Sequence, residues 1–211
     1  MKTRILLADD HAILRDGIRG ILEATPGFEV VAEASDGMEA IAALEKNQFD
    51  VAILDINMPK LNGLDTLKHF KSVAPKLPVL ILSMYPEEQY AVRMLKAGAS
   101  GYLTKEAASN QLIQAINKVI IGGRYVSPEL AEQLAFGLTK TEADYPHELL
   151  SDREYQVLIM IASGKSVSEI AEELFVSVKT ISTYRSRILE KMDLTNNAQI
   201  THYVIKNDLL T

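Results

Sequence analysis

The sequence predicts an α/β doubly wound fold, a five-stranded parallel sheet, followed by a small all-α unit of four helices that contains a helix-turn-helix. Two observations carry the first half of that expectation. Short apolar runs alternate strictly with amphipathic segments over roughly the first 120 residues, and proline and glycine fall between them. A third carries the second half: beyond Gly122-Gly123 the alternation stops and only helical periodicity follows.

The apolar runs are Arg4 to Ala8, Glu29 to Glu33, Val51 to Leu54, Val79 to Leu82 and Gly101 to Leu103. They are short, and Val51 to Leu54 is apolar throughout, as a strand buried on both faces of a parallel sheet should be. Helical patterns cover His11 to Ala24, Gly37 to Asn47, Leu64 to Val73, Glu87 to Ala97 and Ala107 to Ile121. Strand-helix alternation with short loops implies right-handed crossovers and helices on both faces.

Composition bounds the function. The chain is 47% hydrophobic and 24% charged, the balance of a globular protein with a buried core. It contains no cysteine, which removes disulfides, thiolate metal sites and thiol nucleophiles. The N-terminal stretch MKTRILLADDH reaches charge after four apolar residues, too few for a signal peptide, and no run approaches a membrane span. A cytoplasmic location is the expectation. A formal net charge of −6 disfavours broad adhesion to nucleic acid but permits a local basic surface.

In doubly wound sheets, ligands bind beyond the carboxyl ends of the strands. At that edge the sequence places Asp9 and Asp10 after the first strand, Asp55 after the third, Ser83 after the fourth, and Lys105 after the fifth. Taken singly, each has an ordinary reading: a helix N-cap, a loop hydroxyl, a solvated lysine. Placed together, three carboxylates repel one another and call for a bound cation, and oxygen donors with room for water suit Mg2+. Asp55 is then the candidate nucleophile toward phosphorus, with Lys105 stabilising the charged oxygens and Ser83 donating a hydrogen bond. Ser83 could follow the new phosphate while Tyr102, on the neighbouring strand, moves into the space it leaves. His11 adjoins the acidic pair, but no second histidine is spaced to share a metal with it, so it reads as a helix-start residue. Asn57 and Tyr85 flank the site as candidates for tuning the access of water.

The set Asp9-Asp10, Asp55, Ser83 and Lys105, with LDINMPKLNG and GYLTKE, resembles the receiver domain of bacterial two-component response regulators. The resemblance implies a flavodoxin-like receiver in which Asp55 is the phospho-acceptor and Asp9 and Asp10 the acidic metal pair. It also implies that Asn57 lends the metal a backbone carbonyl, that Ser83 and Tyr102 are the switch residues, and that Lys105 contacts phosphate.

In the second module, Ser151 and Glu154 form a capping-box pattern, Gly164 stops that helix, Val167 to Leu174 forms the next, Ser177 caps a third, and Asn196 opens a fourth. At about 100° per residue, Ile181, Ile188 and Met192 share a stripe with Val178 near it, leaving Lys179, Ser182, Thr183, Ser186 and Arg187 outward. Lys179, Arg185, Arg187 and Lys191 against Glu190 make this helix locally basic, able to neutralise phosphates while short hydroxyl side chains approach base edges. From Leu149 onward, however, seven Lys/Arg face eight Asp/Glu, so charge alone does not decide.

The segments LSDREYQVL, SGKSVSEIAEEL and VSVKTISTYRSRILEKM resemble the LuxR-type DNA-binding domain, and the pair of domains resembles the NarL/FixJ response regulators. The resemblance adds Thr180 and Tyr184 to the expected DNA contacts, although Tyr184 stands where histidine is often found. It implies a sensor histidine kinase as phosphate donor, promoter DNA as target, RNA polymerase as a further candidate partner, and a homodimer when phosphorylated or on DNA. The resemblance also implies Asn196 to Asn207, with Ile200, Tyr203 and Val204, as the pairing surface. The expected partition is a receiver over 1–123, a linker with a short helix near Pro128 to Phe136 over 124–147, and a DNA-binding domain over 148–211.

Rival readings are a haloacid-dehalogenase-type hydrolase, a flavodoxin-like FMN carrier, and a receiver acting through protein partners in place of DNA. The first wants an acid where Asn57 stands, and the second would set Asp9-Asp10 against the flavin phosphate. The chain is therefore expected not to be an enzyme beyond assisting its own magnesium-dependent phosphorylation and dephosphorylation.

Overall fold

The computed structural model describes residues 2–85, 87–128, 130–132, 145–207 and 209–210. The chain divides into two compact units, Met1–Leu130 and Ala131–Thr211. Most of the expected linker helix near Pro128 to Phe136 lies outside the described residues.

In the first unit, strands β1 (Thr3–Ala8), β2 (Phe28–Ala34), β3 (Val51–Asp55), β4 (Val79–Ser83) and β5 (Gly101–Thr104) alternate with helices α1 (Ala12–Ala24), α2 (Gly37–Lys46), α3 (Gly63–Val73), α4 (Glu87–Lys96) and α5 (Ala108–Ile120). All strand pairs are parallel and the order is β2-β1-β3-β4-β5. Alternate strand residues Ile5, Leu7, Ile53, Leu80 and Leu103 pack against Ile18 and Leu22 of α1 and Leu112, Ile116 and Val119 of α5. These helices form because their apolar residues recur every three or four positions, which is the face a sheet can bury. Leu6, Leu54 and Tyr102 alternate to the other side, on the layer that holds α2, α3 and α4.

Strand order reverses between β1 and β3, so the ligand-binding crevice of the fold lies between Asp9 and Asp55. Both β3 and β4 run one residue further than the apolar pattern, because Asp55 pairs with Leu82 and Ser83 with Thr104. Asp55 and Ser83 thus belong to the sheet itself, while Asp9, Asp10 and Lys105 lie just past the strand ends.

The turn after Asp55 is built tightly. Lys60 adopts a left-handed φ of 60° and its ammonium pairs with buried Asp36, which also N-caps α2. Gly63 N–H donates to Ile56 O at 2.9 Å, and a Cβ added to Gly63 would lie 2.0 Å from Asp55 O. Only glycine lets α3 start this close to the end of β3.

Beyond α5 the chain returns to the sheet. Tyr125 bridges Gly101 in parallel, its carbonyl accepts from Tyr102 N at 3.1 Å, and its hydroxyl donates to Gln111 at 2.8 Å. Ser127 N then donates to Glu87 of α4, and Leu130 is buried.

The second unit holds a 3-10 helix (Pro146–Leu149) and helices α6 (Asp152–Ala162), α7 (Val167–Glu173), α8 (Val178–Lys191) and α9 (Asn197–Lys206). Its core joins Val157, Leu158, Ile170, Ile181, Ile188, Ile200 and Val204. The expected caps Ser151, Ser177 and Asn196 are in place, and Ser166 with Glu169 forms a second capping box. Among the described residues no helix is long and apolar enough to cross a membrane.

Substituting Gly63→Ala is expected to destabilise the first unit by about 1–3 kcal/mol, the usual cost of overpacking. Urea denaturation of the full chain measures it, and wild-type stability in the variant would contradict the close approach.

Candidate functional site

Asp9, Asp10, Asp55 and Lys105 converge because β1, β3, β4 and β5 are neighbours. Asp9 continues β1, its N–H donating to Ala34 O at 3.1 Å, and its side chain is fully buried. Lys105 follows β5, where its N–H donates to Ser83 O at 2.7 Å. Its Nζ lies 2.7 Å from Asp55 Oδ2 and 2.8 Å from Asp9 Oδ2, bridging the two strands. Asp55 Oδ1 accepts from Asn57 N at 3.2 Å, which fixes the carboxylate plane over the turn.

One ammonium against three carboxylates leaves the cluster with excess negative charge. Burial pushes the Asp55 carboxyl up to about 7, with Asp9's charge adding to the rise and Lys105 opposing it. Burial pulls the Lys105 ammonium down, but Asp55 and Asp9 outweigh it and the net shift is upward. Asp9 Oδ2 and Asp10 Oδ1 are buried without a well-directed hydrogen bond, their near neighbours being the Lys105 ammonium and the His11 ring. Such acceptors fit a cation that draws on several oxygens at once.

Ser83 and Tyr102 are linked through Tyr85. Tyr85 N donates to Ser83 Oγ at 3.0 Å, and Tyr102 Oη donates to Tyr85 O at 2.8 Å. Tyr102 is fully buried, and burial raises its phenol pKa. Asn57 Nδ2 donates to Tyr85 Oη at 3.1 Å, so the two flanking residues touch across the pocket mouth.

His11 occupies the N-cap position of α1, where no side chain caps the helix. The capping reading of Asp9 and Asp10 therefore falls: the backbone N–H that Asp9 Oδ1 accepts is that of His11 itself, at 2.8 Å. The histidine does more than start the helix: Nδ1 is 2.7 Å from Asp10 Oδ1 and 3.3 Å from Asp9 Oδ1. Adjacency to the acid pair was the available signal, but spacing rules for histidine ligands gave it no weight.

In the helical unit, Lys179, Ser182, Thr183, Ser186 and Arg187 are exposed on α8, while Thr180 and Tyr184 are half-buried. Ser182, Thr183 and Ser186 each donate to the carbonyl four residues back at 3.0 Å. Thr180 is engaged with the capping hydroxyl of Ser177. Two of the four basic residues are committed elsewhere: Arg185 donates to Asn197 and Lys191 to Glu154. Val178, expected near the inward stripe, is instead 50% exposed, because the first helical residue lies ahead of the packed turn. Within the expected pairing segment, Asn196 to Asn207, some side chains face inward. Ile200 and Val204 are fully buried in the unit's own core, and Tyr203 Oη meets His147 Nδ1 at 2.8 Å. The exposed face of α9 carries Ala198, His202 and Ile205.

Residues 5–117 match the response regulator receiver domain, and residues 148–204 match the bacterial regulatory proteins of the luxR family. The chain belongs to the NarL/FixJ family of response regulators. It is 35% identical to the response regulator GacA of Pseudomonas protegens over 98% of this chain and 97% of that protein. It is 36% identical to the response regulator UvrY of Escherichia coli, over 97% and 94% respectively. Among solved structures it is similar to RcsB from Salmonella enterica serovar Typhimurium bound to promoter rprA with the phosphomimetic BeF3-. That match has a TM-score of 0.66 and 28% identity, over 97% of this chain and 99% of the other.

Within this response regulator, the Glu154 carboxyl joins two helices of the DNA-binding unit. Burial would raise its pKa, but hydrogen bonds from Lys191 and Ser151 hold it below the ordinary value of 4.5. A depressed folded pKa means that the stabilisation is complete above the unfolded value and is lost as pH falls through the folded one. Glu154→Gln is expected to cost about 1–2 kcal/mol at neutral pH. That deficit should shrink in acid, as read by hydrogen exchange at the α6 and α8 amides, and a pH-independent deficit would refute the linkage.

Proposed function

We propose that phosphorylation of Asp55 by a sensor histidine kinase controls promoter binding by the helical unit. Residues 1–123 act as receiver, 124–147 as linker and 148–211 as DNA-binding domain. The observation that carries the reading is the bridging ammonium of Lys105, 2.7 Å from Asp55 and 2.8 Å from Asp9, in a carboxylate cluster at the switch point of the sheet.

Asp9, Asp10, Asp55 and the backbone carbonyl of Asn57 would hold Mg2+, which suits all-oxygen donors. When bound, that ion supplies charge neutralisation for the incoming phosphoryl group. The protein supplies the rest. An Asp55 oxygen attacks phosphorus in line as the bond from phosphorus to the donor's histidine nitrogen breaks, giving an aspartyl-phosphate and a neutral imidazole. Lys105 shifts from pairing with Asp55 toward a phosphoryl oxygen, and Ser83 donates to another. Hydrolysis of the acyl phosphate by water resets the switch, and the Asn57–Tyr85 pair at the mouth limits the entry of that water. Movement of Ser83 pulls on Tyr85 and hence on the buried Tyr102.

Lys179 and Arg187 are suited to phosphate contact, while Ser182, Thr183 and Ser186 are small enough to reach base edges, with Thr180 and Tyr184 at the margin. Promoter DNA bound to the related RcsB supports this assignment. One recognition helix reads few base pairs, so two copies on two half-sites supply the specificity. The face bearing Ala198, His202 and Ile205 is the one available for pairing. RNA polymerase is a partner consistent with a promoter-bound regulator, and the cytoplasm is the location consistent with both partners.

Two outcomes test the reading. Wild-type protein should incorporate phosphate from radiolabelled acetyl phosphate and Asp55→Asn should not; equal labelling would refute the acceptor. On selected promoter duplexes, Lys179→Ala should weaken binding to every sequence and lower the salt slope by about 1. Fluorescence anisotropy across a salt series reads both quantities, and no change in either would sink the DNA contact.

A further inference from the structure

We propose that His11 is a nitrogen ligand in the carboxylate pocket, and that it makes the site accept a borderline divalent ion of the Zn2+ class in competition with Mg2+. The inference rests on the phosphoryl-acceptor reading of the pocket and concerns a regulation that this reading does not contain.

One ligand atom from each of Asp9, Asp10, His11 and Asp55 lies within 4.8 Å of the others. His11 Nδ1 is 2.7 Å from Asp10 Oδ1, 3.3 Å from Asp9 Oδ1 and 3.9 Å from Asp55 Oδ2. Donors bonded to one ion at about 2.1 Å stand roughly 3.0–3.4 Å apart at the edges of an octahedron or tetrahedron. His11 Nδ1 stands within a few tenths of an ångström of that range from Asp9 and Asp10 and about half an ångström beyond it from Asp55, while the four ligand atoms as a set lie within 4.8 Å. Side-chain rotations that draw the set inward turn the cluster into a coordination shell.

Three features favour this use of the ring. The backbone N–H of His11 is fixed to Asp9 Oδ1 at 2.8 Å, which anchors the residue over the cluster. Its side chain is 60% exposed, so the ring can turn without disturbing the core. Asp9 Oδ2 and Asp10 Oδ1 are buried acceptors without a directed hydrogen bond, and three carboxylates against Lys105 leave the charge that a divalent ion cancels.

The nitrogen decides the metal. Mg2+ binds oxygen and keeps several waters, so an imidazole adds little to its affinity. Zn2+ and its neighbours late in the Irving–Williams order gain strongly from imidazole. Zn2+ also closes a four-coordinate shell, and one atom from each of the four residues would complete it. Asp55 would then be a ligand with no room beside it for a phosphoryl group. Lys105, 3.4 Å from His11 Nδ1, would be displaced from the same oxygens. Such an ion holds the receiver unphosphorylated, which couples the switch to metal supply.

Calorimetric titration of the full chain with ZnCl2 and, separately, with MgCl2 tests the proposal on wild type, His11→Ala, His11→Gln and the control His69→Ala. The expected result is a loss of Zn2+ affinity of about tenfold or more in both His11 variants, with Mg2+ affinity within about twofold of wild type and His69→Ala unchanged. Equal losses for both ions, or a Zn2+ affinity indifferent to His11, would overturn it. Labelling by acetyl phosphate separates the two readings. A wild-type chain that labels in Mg2+ while binding Zn2+ independently of His11 defeats this inference alone. One that never labels but binds Zn2+ through His11 defeats the phospho-acceptor reading alone.

Discussion

Negative charge packed at the end of a buried sheet is the constraint that organises the first unit. Asp9 and Asp55 terminate adjacent strands, and both are almost wholly removed from water. Two like charges about 4 Å apart at a protein-like dielectric repel by about 4 kcal/mol, which the fold must offset. It does so with one lysine, delivered by the register of β5 against β4, because Ser83 pairs with Thr104 and Lys105 comes next. The balance is incomplete: the single ammonium leaves the pocket receptive to a further cation.

The supporting shell is built from backbone rather than from bulk. Gly63 allows α3 to begin against the carbonyl of Asp55, and Lys60 in its left-handed conformation reaches Asp36 at the start of α2. Asp55 is thereby braced from two helices, while the side toward β4 and β5 holds Lys105 and the hydrogen bonds that join Ser83, Tyr85 and Tyr102. The helical unit uses a comparable economy, with Glu154 closing its own capping box and receiving Lys191 from the end of the recognition helix.

Much of this was legible before any coordinates. Strand alternation, the acid pair, the strand-end Asp55, Ser83 and Lys105, and the caps Ser151, Ser177 and Asn196 are local signals whose meaning does not depend on distant partners. What escaped were features set by tertiary context. Periodicity places Ile200 and Val204 on an apolar face but does not say whether that face meets the same chain or another, and here it meets α6 and its neighbours. Val178 sits near the correct angle yet ahead of the packed turn. His11 was discounted for want of a histidine partner, although carboxylates from β1 and β3 surround it. The binding of Tyr125 to β5 left no trace in the pattern, because a lone bridge has no period.

That last contact bears on where the first unit ends. β5 is an edge strand of the sheet, and its open backbone groups would otherwise invite another strand to pair. Tyr125 answers two of them, with Tyr102 N donating to its carbonyl and its own N–H donating to Ser100 O, while the buried side chain of Leu130 marks how far the unit extends. The residues just after the glycine pair thus cover the sheet edge: a first unit cut off at Gly123 would bare a sticky border, so solubility of the isolated piece depends on residues that sequence alone assigns to the connection.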